Sequence, residues 1–111
     1  LRPRRQRQMC IRDSNNTDIN PIISQLPNTN TSDGSTVERY SWQNGDGCVS
    51  VEELKIINGD HDWPSPLSFW ANQDINANIE VWNFVSKYDM MGLIGCNSLN
   101  ILKENLFYIK L

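Results

Sequence analysis

The chain of 111 residues has one histidine, His61, and three cysteines, Cys10, Cys48 and Cys96, none at a metal-ligand spacing. Zinc centres draw three or four ligands from cysteine, histidine and carboxylate, so this inventory argues against a metal site. No apolar run reaches the ~20 residues a membrane-spanning helix needs. The first residues are basic but have no apolar stretch or small-residue cleavage site, so they do not read as a signal peptide. Gly-x-Ser-x-Gly, the turn that raises a serine nucleophile above a sheet, does not occur. What is present is ordinary for a folded segment: 39% hydrophobic, 21% charged, and four tryptophans that favour burial over disorder. The length allows one domain at most.

Charge is unevenly placed. Arg2, Arg4, Arg5, Arg7 and Arg12 crowd the start, whereas residues 15–111 carry five basic residues against twelve acidic ones. A basic arm on an acidic body ordinarily points to nucleic acid or a membrane surface. Here a different origin fits better. "RRQRQMCIRDS", residues 4–14, resembles a transposase sequencing adapter translated in one frame, with every residue from Arg4 to Asp13 in agreement and Ser14 allowed. Residues 1–14 are therefore expected to be an adapter-derived, disordered artefact, and the rest a read-derived, metagenomic-type fragment. Neither a nucleic-acid partner nor a membrane partner is expected.

Residues 15–35 are rich in Asn, Thr, Ser and Asp, with Pro21 and Pro27, and read as an extended connection anchored by Ile22, Ile23 and Leu26. "TVERYSW" (36–42) and "CVSVEELKII" (48–57) read as two strands joined by the turn cluster "QNGDG" (43–47), an antiparallel hairpin. Asn58-Gly59 ends the second strand. In "DINANIEVWNFVSKYD" (74–89), Ile75, Ile79, Trp82, Val85 and Tyr88 recur at helical steps, with Asp74 or Asn76 as N-cap; this stripe is expected to be core packing. Beyond Gly92 no clean period remains. A hairpin, a loop and one helix bury little surface alone, so the segment reads as incomplete as a domain.

"IINGDHDWP" (56–64) carries the chemistry. A strand rising into a histidine loop, followed by an amphipathic helix, is the arrangement that ends an α/β-hydrolase, where the triad histidine comes last. An imidazole there takes the serine proton on one nitrogen while a carboxylate holds the other. The expected fold class is α/β: the C-terminal part of such a hydrolase, with its final strand or hairpin, histidine loop and C-terminal helix.

"KIINGDHDWP", the following "INA…W.F" helix and the preceding "TNTSDGSTVERYSW" together resemble the C-terminal end of the polyhydroxybutyrate depolymerase and feruloyl esterase-like family of secreted serine esterases, over residues 15–90. The resemblance implies that His61 is the catalytic triad base and that Trp63 is a substrate-binding residue lining the acyl or aromatic pocket. It implies an extracellular location, an ester substrate (polyhydroxyalkanoate or feruloyl-polysaccharide) and no cofactor. The family's nucleophile and acid have no counterpart here, so the segment alone is expected to be inactive. Asp60 and Ser65 stand where the family has glycine, which puts loop geometry in question. A carboxylate at position 60 would also favour the charged imidazole. The family often links the hairpin turn to the region before the long connection by a disulfide; Thr17 stands in that region, which leaves Cys48 unpaired or joined to Cys96. The tail, residues 91–111, resembles a linker toward a C-terminal sorting domain of the type IX secretion system, which would make that machinery a partner.

Two readings compete. "NGDGCVSVEEL" (44–54) resembles an EF-hand calcium loop, with Gly47, Asp46 and Glu53 in phase, but Trp42 stands where the entering aspartate belongs. Residues 49–57 decide the matter: strand for the esterase, helix for the EF-hand. The Asn-, Asp- and Trp-rich composition also suits a non-catalytic β-rich adhesion or carbohydrate-binding module.

Overall fold

The computed structural model describes residues 4–96 and 106–110, and the side chains of residues 8–96. Its framework is a sheet in the order β1-β2-β3-β6, formed by Ile22–Gln25, Thr36–Trp42, Val51–Ile57 and Leu106–Lys110. The strands β1, β2 and β3 are antiparallel neighbours, and β6 lies parallel to β3. A helix, α1 (Arg4–Asn15), precedes the sheet. A second, α2 (Ala77–Val85), follows β3 and leads into a two-stranded ribbon of β4 (Tyr88–Asp89) and β5 (Gly92–Leu93).

The β2–β3 hairpin forms for the reason its sequence gives. Alternation places Val37, Leu54 and Ile56 on one face, where they close with Ile75 into a buried cluster that Leu26 flanks. Trp42, Val51 and Glu53 occupy the opposite face. The connection between the strands tightens into a 3-10 turn at Asp46–Cys48, with Gly47 at φ 66°. The helix α2 lies over the Val37 face, where the Arg39 guanidinium donates to Glu80 Oε2 at 2.6 Å. On the Trp42 face, α1 sets the Arg12 guanidinium 4.5 Å from the indole centroid, and Gln8 donates to Glu53.

Several expectations are corrected. The fold is not that of an α/β-hydrolase: three consecutive antiparallel strands with no helix between them make a small β-rich fold, not an alternation of strand and helix. Residues 1–14 were expected to be disordered, yet Arg4–Asn15 form α1, in a stretch free of Pro and Gly and rich in the good helix formers Arg and Gln. Ile22 and Ile23 are 59% and 57% exposed on an edge strand, so Leu26 is the anchor of that segment. Residues 106–110, expected in a linker, pair with β3, while residues 97–105 of the same expected linker lie outside the described residues. Cys48 is not unpaired but forms a disulfide with Cys96, Cα atoms 5.8 Å apart, tying the β2–β3 turn to the end of the β4–β5 ribbon. At that junction Gly92 has φ 109°, and a Cβ there would strike the Gly47 carbonyl, so a side chain is excluded by both backbone angle and space.

Candidate functional site

The histidine loop begins where β3 stops. Asn58 takes φ 59°, the left-handed conformation that Asn tolerates better than most residues, and the chain turns out of the sheet. Asp60 Oδ1 then accepts the His61 main-chain N–H at 2.8 Å, so this carboxylate braces the backbone and does not hold the imidazole. His61 is exposed, and its ring has no hydrogen-bond partner among the described residues. Trp63 is 50% exposed, and its Nε1 donates to Asn78 Oδ1 at 2.9 Å, which fixes the indole against the first turn of α2. Pro64 is buried, and its carbonyl accepts from the Ala77 N–H at 2.9 Å, joining loop to helix. His61 and Trp63 thus share one short loop, with the His61 backbone held by Asp60 and the Trp63 indole held by Asn78. No serine hydroxyl or carboxylate meets the imidazole among the described residues, so these hold one member of a triad at most.

The helix start is well made. Asn76 caps α2, its side chain accepting from the N–H groups of Asn78 and Ile79. The expected core stripe is not where the sequence placed it. Ile75 is buried, but Ile79, Trp82 and Val85 are 56%, 67% and 37% exposed, and Ala77 and Phe84 are the residues α2 buries.

Beside the histidine loop runs an open groove of about 550 Å³ that the sequence did not single out. One wall carries Phe69 and Trp70, packed edge to face at 5.1 Å between centroids. The floor is a polar lattice. Asp33 accepts the main-chain N–H groups of Gln73 and Ser35 at 2.9 and 2.8 Å, and the Ser35 hydroxyl at 3.0 Å. Asn72, buried, donates to the Ser35 hydroxyl at 2.7 Å and to Asp74 Oδ2 at 3.1 Å. Asn30 donates to Gln73, which itself donates to the Ser68 carbonyl at 2.7 Å. Desolvation opposes ionisation of Asp33, but the bonds from Gln73 and Ser35 outweigh it and hold the carboxyl below its ordinary range. The only sequence signals for this groove were the Phe69-Trp70 pair and the Asn- and Asp-rich runs at 28–33 and 72–74. Neither run has a period, and the groove exists only because the two loops fold against each other.

Residues 51–57 are strand, so the helix that should leave an EF-hand loop is not formed, and that reading fails its own criterion. Among the residues described, no group of three or more His, Cys, Asp or Glu side chains is arranged to hold a metal ion. Among the described residues, no helix is long and apolar enough to cross a membrane. No family model, curated protein or solved structure matches the chain.

Proposed function

We propose that this chain supplies the general-base histidine of a secreted carboxylic ester hydrolase, with the serine nucleophile and the orienting acid contributed by residues outside it. One observation carries the reading: the His61 imidazole is presented to solvent at the end of β3, on a loop whose neighbours Asp60, Trp63 and Pro64 are pinned while the ring itself is unengaged. That is the state of a base awaiting a hydroxyl from elsewhere. In the reaction, His61 takes the proton of the serine hydroxyl as its oxygen attacks the ester carbonyl, then returns that proton to the departing alcohol. Water repeats the cycle on the acyl-serine and releases the acid. Trp63, half-exposed two residues on from His61, would pack against the acyl group. The ester is of the polyhydroxyalkanoate or feruloyl-polysaccharide kind, and the disulfide suits an oxidising, extracellular setting. Export by the type IX system belongs to the same proposal.

The test joins the chain to its upstream coding region and measures hydrolysis of p-nitrophenyl butyrate. His61→Ala should lower kcat/KM by ~10⁴-fold or more, on the scale of losing a triad member, whereas the 111-residue chain alone should show only background hydrolysis. Turnover retained by His61→Ala in the longer protein removes the imidazole from the chemistry.

A further inference from the structure

We propose that the groove between residues 30–35 and 69–73 is a binding site for a neutral oligosaccharide. This goes beyond the ester-hydrolase reading and does not depend on His61 acting as a base. Three features of the groove converge on that ligand.

Phe69 and Trp70 are 82% and 69% exposed, side by side, on a wall of an otherwise polar depression. Large aromatic rings left in water at that density mark a contact surface, and a flat aromatic face suits a ligand with apolar C–H faces and a polar edge. Other residues of the lining supply that edge's partners. Asn58 and Asp60 also line the groove, and neither the Asn58 side-chain amide nor Asp60 Oδ2 has a hydrogen-bond partner among the described residues. Hydroxyl groups both donate and accept, so they match an amide and a carboxylate together.

The charge selects against the alternatives. Asp33 and Asp60 line the groove and, among the described residues, no Lys or Arg does, so phosphate, sulfate and uronate groups are repelled. A purely apolar ligand would leave the polar side unpaired. The floor bonds among Asp33, Ser35, Asn72, Asp74 and Gln73 are satisfied before any ligand arrives, so they hold the walls apart and little ordering is left to binding. A volume of about 550 Å³ lies within the usual range for ligand sites.

Isothermal titration of the full chain with cellohexaose, xylohexaose and mannohexaose, and with hexagalacturonic acid as the charged counterpart, tests the assignment. At least one neutral hexasaccharide should bind, with the acidic one ~10-fold weaker or worse. Trp70→Ala should weaken that binding ~10-fold or more, as loss of an aromatic anchor does. Phe69→Ala repeats the loss without altering an indole. Trp82→Ala, on the exposed face of α2 outside the groove, and His61→Ala should leave affinity within about twofold. Failure of all three neutral hexasaccharides to bind overturns the proposal, as does full binding by Trp70→Ala or an equal loss in Trp82→Ala. Because His61→Ala is silent here and decisive for ester turnover, the two readings fail separately.

Discussion

Two carboxylates compete for Arg39. Its Nη2 donates to Glu80 at 2.6 Å, while its Nε lies 3.9 Å from Glu52 and makes no hydrogen bond. Burial pushes the Glu52 carboxyl above its ordinary value near 4.5, against the pull of Arg39 and Lys87. A carboxyl raised in the folded state stabilises the fold while protonated, below the unfolded value, and that contribution fades as pH rises through the folded value. The charge on Glu52 therefore works against folding at neutral pH. Glu52→Gln should leave the urea midpoint at pH 7 unchanged or higher and flatten its decline from pH 4.5 upward. Glu80→Gln should lower stability at pH 7 by ~1 kcal/mol, the loss of one charge-assisted bond. Equal midpoints for the two variants would show that Arg39 does not discriminate between them. At this scale the sequence marks His61 and Trp63 by their order along the chain. It says nothing of which carboxylate an arginine chooses, because that choice depends on distances across the sheet–helix interface.

Among the elements, α2 is the instructive case. Its cap is legible to within two candidates, Asp74 and Asn76, because capping is local; the structure selects Asn76, whose side chain reaches N–H groups two and three residues on. Its buried face is not legible. Five apolar residues at helical spacing were expected inside, yet the helix covers nine residues and buries Phe84 and Ala77. Phe84 is 2% exposed and packs against Tyr88 at 5.2 Å between centroids, with the Tyr88 hydroxyl bonded to Ser50 at 2.7 Å. Periodicity says that a helix has a face; the partner surface says which face is covered. Phe84→Ala should therefore cost about 3–5 kcal/mol of unfolding free energy. Trp82→Ala, though it removes a larger side chain, should stay within about 0.5 kcal/mol. Urea titration of both variants checks this, and the reverse ranking would return the stripe to the core. The strands β2 and β3 were legible for the complementary reason: with period two, a one-residue slip from the register that sets Val37 beside Ile56 would turn one strand's buried residues to the wrong face.

For the molecule as a whole, long-range ties matter most. The sheet lies between α1 and α2, and the Cys48–Cys96 disulfide spans 48 residues to fasten the β2–β3 turn to the ribbon after α2. Closing a loop of that length removes conformational entropy from the unfolded chain worth roughly 2–4 kcal/mol. A Cys48→Ser, Cys96→Ser double variant should unfold at correspondingly lower urea, and the parent protein should match it in reductant. An unchanged midpoint under both conditions would show that the bridge adds nothing to stability.

From its sequence alone this protein settled its β2–β3 hairpin and narrowed its helix cap to Asp74 or Asn76, since each follows from contacts between near neighbours or from a strict period. Tertiary structure decided the β-rich arrangement, the outward stripe on α2, the disulfide and the groove beneath Trp70. Those depend on which distant surfaces meet, and a residue's own neighbours along the chain carry no record of that.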